Sequence, residues 1–429
     1  MHDIKFIKNK PEIFDRLQKK RNEKVKSSEI LEIYNKYLSH INKIQELQKI
    51  RNNESKKIGL ISKIESKTKV DLLKKRVGNL KKKISNLNLL ADKEYSNLTR
   101  ILSLVPNLLD EKTPFGKSDL DNKKIKEFGK KNEFSFQPLD HVVIGEKLGL
   151  LDYTSAAKLS GARFSVLKSE LALLSRALMN YMLDKHTKQN GYKEIKVPEL
   201  VLKECLYGTG QLPKFKDDLF ETKEGLWLIP TAEVSLTNLC REEILNYKNL
   251  PLRYTSFTNC FRSEAGSAGV DTKGLIREHQ FGKVELVSIT KPESSMNELD
   301  RMIECVESIL KDLNLHYRVM ELCSSDVGFS SSYTLDFEVW MPGQSKFREV
   351  SSCSNCKDFQ SRRMKMRTKN NETGKIIYPH TLNGSGLAIG RIIVAILENF
   401  QEKNGEVNIP KVLWNYMGGT KKLLNLKND

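Results

Sequence analysis

The sequence predicts an α+β fold with a mostly antiparallel sheet, preceded by an N-terminal antiparallel helical coiled-coil hairpin. Three observations lead there. Between Pro11 and Pro106 there is no proline, and only Gly59 and Gly78 interrupt a helix-favouring composition. Along that stretch apolar residues recur every 3.5 positions, the period of a coiled-coil seam. Beyond Pro106 strand-like and helix-like patterns mix, and all three tryptophans and all seven cysteines lie there. A chain of 429 residues exceeds one ordinary core. The expected division is an arm over 1–105, a linker over 106–134 and the main domain over 135–429.

The arm comes first. Ile30, Tyr34, Tyr37, Ile41 and Ile44 step by four and three. Val70, Leu73, Val77, Leu80, Ile84, Leu87, Ala91, Tyr95, Leu98 and Leu102 alternate three and four throughout. The polar stretch Glu65–Lys69 between them reads as the turn of the hairpin. At about 1.5 Å per residue each helix is on the order of 50 Å long. The net charge of +18 is concentrated here, since residues 1–105 hold 26 Lys and Arg against 12 Asp and Glu. That asymmetry points to a polyanionic partner, although lysine also fills exposed helix faces without any partner.

Pro106, Pro114, Gly116 and the charged run to Lys131 read as the linker. Leu171–Lys185 follows as an amphipathic helix, with Leu171, Leu174, Leu178, Tyr181 and Leu183 on one stripe. Asn190-Gly191 stops it, and a short strand ends at Pro198. Thr334–Trp340 alternates apolar and polar residues as an antiparallel strand does. Charges interrupt the apolar residues of Met1–Lys8, unlike a secretory signal. No apolar run reaches the roughly 18 residues needed to span a bilayer, so no membrane is expected. An odd number of irregularly spaced cysteines fits a reducing compartment, and the expected location is cytoplasmic.

Two segments carry the chemistry. Phe261-Arg262-Ser263-Glu264 and His279-Gln280-Phe281-Gly282-Lys283-Val284-Glu285 suit a strand-loop-strand hairpin that grips a nucleotide. Arg262 offers a planar fork for phosphate, Phe281 a flat face for a base, and Glu285 a carboxylate for a cationic group. Gly266, Gly269 and Gly274 let the intervening loop change shape. Alone, such an Arg and Glu would be a solvated pair. The second segment, Asn383–Arg391, is a glycine-rich strand feeding an apolar helix, where small residues let the backbone approach a nucleotide and Arg391 can clamp a terminal phosphate. Its G-x-G-x-x-x-G spacing is one residue too long for a dinucleotide-binding turn, and no acidic residue follows at the required distance. No G-x-x-x-x-G-K-[ST] phosphate loop occurs.

The helix-strand-proline piece ending at Pro198, the Arg262–Phe281–Glu285 hairpin and the Asn383–Arg391 piece, in that order, resemble the three signature motifs of class II aminoacyl-tRNA synthetases. The finer resemblance, over essentially the whole chain, is to the bacterial type of seryl-tRNA synthetase. It rests on Gly208–Phe215, Pro230–Glu233, Glu349–Cys356 and the Asn383–Arg391 run. The resemblance implies a tRNA-binding arm and a class II catalytic core that uses ATP and Mg2+. Arg262 would hold the α-phosphate, Phe281 would stack on adenine and Arg391 would meet the γ-phosphate. Arg262 and Arg391 are thereby the catalytic pair. Ser263, Glu264, Glu349, Val350, Ser351 and Ser352 complete the ATP contacts. Glu349 and Ser352 are the implied magnesium ligands, hard oxygen donors suited to that ion. Thr231, Ala232, Glu233 and Glu285 would line the serine pocket with Arg262, Thr381, Asn383 and Ser385, and Glu233 and Glu285 share the ammonium and the hydroxyl in an order left open.

The implied partners are L-serine, tRNA(Ser), tRNA(Sec) as a further acceptor, and a second copy of the chain in a homodimer. No nucleophile or general base is needed, so positioning and charge supply the rate. Gly208–Phe215 is expected as a mobile flap, and Cys353–Cys356 as a structural turn, since no second cysteine pair completes a zinc set. Two alternatives stay open. A class II-fold ligase acting on a carrier protein would lack the basic arm, and a catalytically silent RNA-binding homologue would lack Arg262, Glu349 or Arg391.

Overall fold

The structure, a computed structural model, describes residues 1–61, 67–266, 274–371 and 373–424. It divides into two compact units, one of His2–Pro106 and one from Asn107 onward that includes Met1.

The first unit is helical throughout. Ile4–Asn9 (α1) and Pro11–Lys20 (α2) precede two long helices, Ser27–Ile61 (α3) and Lys67–Leu104 (α4). Asp3 caps α1 by accepting from the Lys5 N–H, and Pro11 opens α2 where its missing N–H costs nothing. The 35 and 38 residues of α3 and α4 span about 52 and 57 Å. Val70, Ile84, Ala91 and Leu98 are buried in α4 and fall on one heptad position. Ile84 and Ala91 pack with Tyr37, Ile41, Ile44 and Leu47 of α3. The Tyr37 and Tyr95 rings lie 5.6 Å apart, so the start of α3 lies along the end of α4, and the pair is antiparallel. Lys67–Lys69 open α4 rather than turning, and Glu65 and Ser66 lie outside the described residues.

The second unit is built on an eight-stranded sheet. Its strands are Lys123–Phe128 (β1), Lys193–Glu194 (β2), Leu252–Phe261 (β3), Gln280–Thr290 (β4), Tyr317–Glu321 (β5), Tyr333–Met341 (β6), Lys346–Lys357 (β7) and His380–Ala388 (β8). They lie in the order β1-β5-β6-β7-β8-β4-β3-β2, antiparallel except where β2 joins β3. β3 and β4 form the expected hairpin, in register from Leu252 opposite Ile289 to Phe261 opposite Gln280.

One face of the sheet is covered by Ser169–Lys188 (α5), Ser295–Asp312 (α7) and Ile389–Asn399 (α9), the other by the short helices Ala232–Asn238 (α6) and Phe359–Arg363 (α8). The stripe Leu171, Leu174, Leu178 and Tyr181 faces the main core, as its helical spacing requires. Val284 and Leu286 of β4 point into the same core, while Val287 and Ile289 join a satellite cluster with Ala232 and Leu236.

Three expectations change. Within the segment read as a linker, 106–134, β1 pairs with β5. All six of its residues are exposed, so it carries no apolar alternation to read. Cys353 and Cys356 are buried inside β7 rather than in a turn. Gly384 and Gly386 are small because of the core. A Cβ on Gly384 would stand 2.8 Å from Cys353 Sγ and Met302 Sδ, and one on Gly386 would stand 2.7 Å from His186 Nε2. Gly384→Ala should therefore overpack the sheet against α7 and cost about 1–3 kcal/mol. Denaturant unfolding followed by tryptophan fluorescence checks this, and an unchanged midpoint would refute it.

Candidate active site

Strand alternation assembles the site. Phe281, Lys283 and Glu285 are alternate residues of β4 and share the face of the sheet that α6 and α8 cover. Glu285 lies directly opposite Ser385 of β8, whose Asn383 and Thr381 continue the same face. Arg262 follows the end of β3, its guanidinium carbon 5.1 Å from the centre of the Phe281 ring and its Nε donating to the Pro230 carbonyl at 3.3 Å. Arg391 sits in the first turn of α9. It meets Glu349 Oε2 at 3.2 Å and donates to the Glu349 carbonyl at 2.8 Å and the Ile276 carbonyl at 3.2 Å. Glu264 adopts a left-handed φ of 52° and pairs with Arg277 at 3.3 Å. Arg262, Phe281, Val350, Ser385 and Arg391 thus line one cavity.

A β-bulge aligns the implied metal ligands. Three residues apart, Glu349 and Ser352 would face opposite sides of a regular strand. The register against β6 shifts between Glu349 and Ser351, so they lie opposite Glu338 and Asp336, which are two apart. Both then present oxygen to one face. The surroundings of Glu349 favour its neutral acid, but the Arg391 charge and hydrogen bond outweigh this and hold the carboxyl below its usual range. Burial, reinforced by Glu349, drives the neighbouring Asp336 well above the usual carboxylate range, and its Oδ1 is buried without a hydrogen bond.

The second pocket lies beside the first, and a cavity of about 490 Å³ reaches it past Gln211, Thr231, Glu233 and Arg262. Thr231 caps α6 and donates to Glu285 Oε2 at 3.1 Å, while Lys283 Nζ donates to Thr231 Oγ1 at 2.9 Å and pairs with Glu285. From the other side Thr381 donates to Gln360 Oε1 at 2.6 Å, and Gln360 donates to Glu233 Oε1 at 2.6 Å. Burial and then the charge of Glu285 push Glu233 up to about 7. Burial also raises Glu285, opposed by Lys283.

Some expected residues stand elsewhere. Ala232 packs into the satellite core, leaving its backbone alone for a ligand. The Ser263 hydroxyl donates to the Asp217 carbonyl, and Ser351 donates to the Ser385 carbonyl at 2.6 Å, bracing β8. Gly208 and Thr209 close a helix, Leu212 is buried and Phe215 packs on Phe329, so the expected flap is packed in the structure. Gly269 lies outside the described residues. Lys283, Arg277, Gln360 and Asp336 were not anticipated. The period of two between Phe281 and Glu285 marks Lys283, whereas nothing local marks Gln360.

Comparisons with known proteins identify the family. Residues 1–109 match the seryl-tRNA synthetase N-terminal domain, and residues 214–400 match the tRNA synthetase class II core domain of the G, H, P, S and T enzymes. The serine–tRNA ligase of Brucella abortus (strain S19) is 48% identical over 419 residues, 98% of each chain. Among solved structures, seryl-tRNA synthetase from Pyrococcus horikoshii complexed with ATP superposes with a TM-score of 0.93 at 36% identity, covering 99% of this chain and 100% of that one. The cytoplasmic serine-tRNA ligase of Naegleria fowleri in complex with AMP gives 0.87 at 28% identity over 99% of both. The two family-model matches, the 48% identity over 98% of the chain and the full-length superposition place this chain in the seryl-tRNA synthetase family.

Proposed function

We propose that this chain activates L-serine with ATP, releasing pyrophosphate, and passes the seryl group to the 3′ end of tRNA(Ser), with tRNA(Sec) as a second acceptor. The observation that carries the reading is the single face of β4, where Phe281 and Glu285 stand four residues apart beside Arg262 and Thr231. A base on the ring and an ammonium on the carboxylate would lie side by side, with Arg262 between them for the α-phosphate. The names of the relatives and the ATP and AMP complexes support the same substrates.

The serine carboxylate attacks the α-phosphorus, the bond to the bridging oxygen breaks, and pyrophosphate leaves with the electron pair. A ribose hydroxyl of tRNA then attacks the acyl carbon, the acyl–phosphate bond breaks, and AMP leaves with the electron pair while the hydroxyl proton is released. Arg262 meets the charge growing on the α-phosphate and Arg391 holds the γ-phosphate. Glu349 and Ser352, brought to one face by the bulge, fit Mg2+ as hard oxygen donors, and Asp336 adds an unpartnered oxygen beside them. Bound there, the ion would neutralise phosphate charge. Glu233 and Glu285, held by Gln360 and Thr231, would read the ammonium and the hydroxyl. Glycine or alanine would leave these buried groups unpaired, which favours serine.

The arm would bind tRNA through Lys74, Lys75, Arg76, Lys81, Lys82 and Lys83, all exposed on α4. The working form would be a cytoplasmic homodimer. Among the described residues no helix is long and apolar enough to cross a membrane.

Glu285→Gln keeps the shape and removes the charge. The kcat/KM for serine in ATP–pyrophosphate exchange should fall about tenfold or more, as for a charged hydrogen bond of roughly 1.5–3 kcal/mol, while the KM for ATP moves far less. Collapse of ATP binding with intact serine discrimination would refute the assignment. Affinity for tRNA should fall with salt by about 0.7–0.9 log units per log unit for each phosphate contact. Neutralising Lys74, Lys75 and Arg76 should flatten that slope, and an unchanged slope would return them to solvated surface. Light scattering at micromolar concentration should give twice the chain mass of 49.2 kDa, and a clean monomer would refute the dimer.

A further inference from the structure

We propose that Lys283 is a catalytic residue of this site, an ammonium that trades Glu285 for the carboxylate of the bound amino acid and holds that carboxylate against the α-phosphate. The inference deepens the serine-activating reading and rests on it.

Position is the first argument. Lys283 is 6% exposed and lies on β4 between Phe281 and Glu285, on their face of the sheet. If the ring holds the base and the carboxylate holds the amino acid, Lys283 stands where the two reactants meet. It also lines the cavity that Arg262, Phe281 and Arg391 share. The register with β8 slips between Ser385 and Ala388, opposite Glu285 and Lys283. The bulge interrupts the ladder beside the lysine.

Charge is the second. Lys283 pairs with Glu285 and donates to Thr231 Oγ1 at 2.9 Å, and Thr231 donates to the same Glu285 oxygen at 3.1 Å. An incoming ammonium takes the oxygen that Lys283 now holds. A buried ammonium that loses its counter-ion is costly unless another anion replaces it. The amino acid brings that anion, since its carboxylate is two bonds from its ammonium. A lysine suits such an exchange, being a point charge with three donors on a flexible stem. The chemistry balances without a further reactant. The carboxylate oxygen forms its bond to the α-phosphorus, the bond to pyrophosphate breaks, and Lys283 keeps its proton throughout.

A purely structural counter-ion of Glu285 would sit in the same place, and ligand charge separates the two roles. Full-length wild type is first assayed for serine-dependent pyrophosphate exchange, and failure there would sink the functional reading itself. Lys283→Met and Lys283→Gln are then titrated calorimetrically with L-serine and with L-serinamide, which keeps the ammonium and hydroxyl and lacks the carboxylate. Expected are a loss of serine affinity of about tenfold, a change below about threefold for serinamide, and a fall in exchange kcat of about a hundredfold with the KM for ATP nearly constant. Lys283→Arg, which keeps the charge, should recover part of the serine affinity. Equal weakening of both ligands in the variants overturns the proposal, as does an unchanged kcat. Melting curves accompany each variant, and failure of both Met and Gln forms to fold would assign Lys283 to structure and overturn it as well.

Discussion

The alternation of a single strand ties stability and chemistry together in this protein. In β4 every even-numbered residue of the pair Val284 and Leu286 is driven into a core shared with α5, α7 and α9, so the odd-numbered residues have no choice of face. Phe281, Lys283 and Glu285 therefore present their side chains together because their neighbours must be buried. A slip of one residue would turn the site into the core and the core into solvent. The glycines of β8 serve the same constraint from the next strand, letting α5 and α7 lie close behind the face that carries Ser385.

That face then has to tolerate charge at low solvent access. Glu233 and Glu285 are both buried, and Lys283 is the ammonium within their hydrogen-bonded cluster. The two acids share one ammonium within the cluster, with the Arg262 guanidinium at the pocket's edge. Part of the repulsion is relieved by raising the Glu233 carboxyl to about 7, so that neutral acid and carboxylate coexist near neutral pH. A ligand with an ammonium and a hydroxyl donor completes the set, and one with an apolar side chain leaves an acid unpaired. The polar residues are fixed from behind, Thr231 by its capping role at α6 and Gln360 by Thr381. On the proposed reading, selectivity would rest on pre-set hydrogen bonds rather than on pocket size.

How much of this was legible in the sequence follows from the range of each interaction. The seam of α4 is readable over more than thirty residues because burial repeats with a fixed period, whereas its polar first turn reads as loop. The β3–β4 hairpin and the Phe281–Glu285 pairing were readable because a period of two is local. Lys283 obeys the same period, although a lysine on a strand is ordinarily solvated. The bulge at Val350 was not readable, since an extra residue in one strand shows only against its partner β6. Gln360 reaches Glu233 from 127 positions away, and no local pattern announces such a contact. β1 escaped because an exposed edge strand has no apolar face.

Adenylate formation, the first step these residues suit, needs no proton transfer. A carboxylate attacking phosphorus is already ionised, and pyrophosphate leaves without needing a proton, so a base would have nothing to remove. What the site can supply is opposite charge at fixed places, and Arg262, Arg391 and Lys283 each come from a different kind of anchor: the end of a strand, the first turn of a helix, and the middle of a strand. Anchors on rigid elements hold such charges without reorganising during the reaction, which is the condition under which electrostatic stabilisation acts at full strength. The same reasoning explains why the bulges fall where they do. They re-aim Glu349, which a regular strand would have pointed the wrong way, and interrupt the ladder beside Lys283.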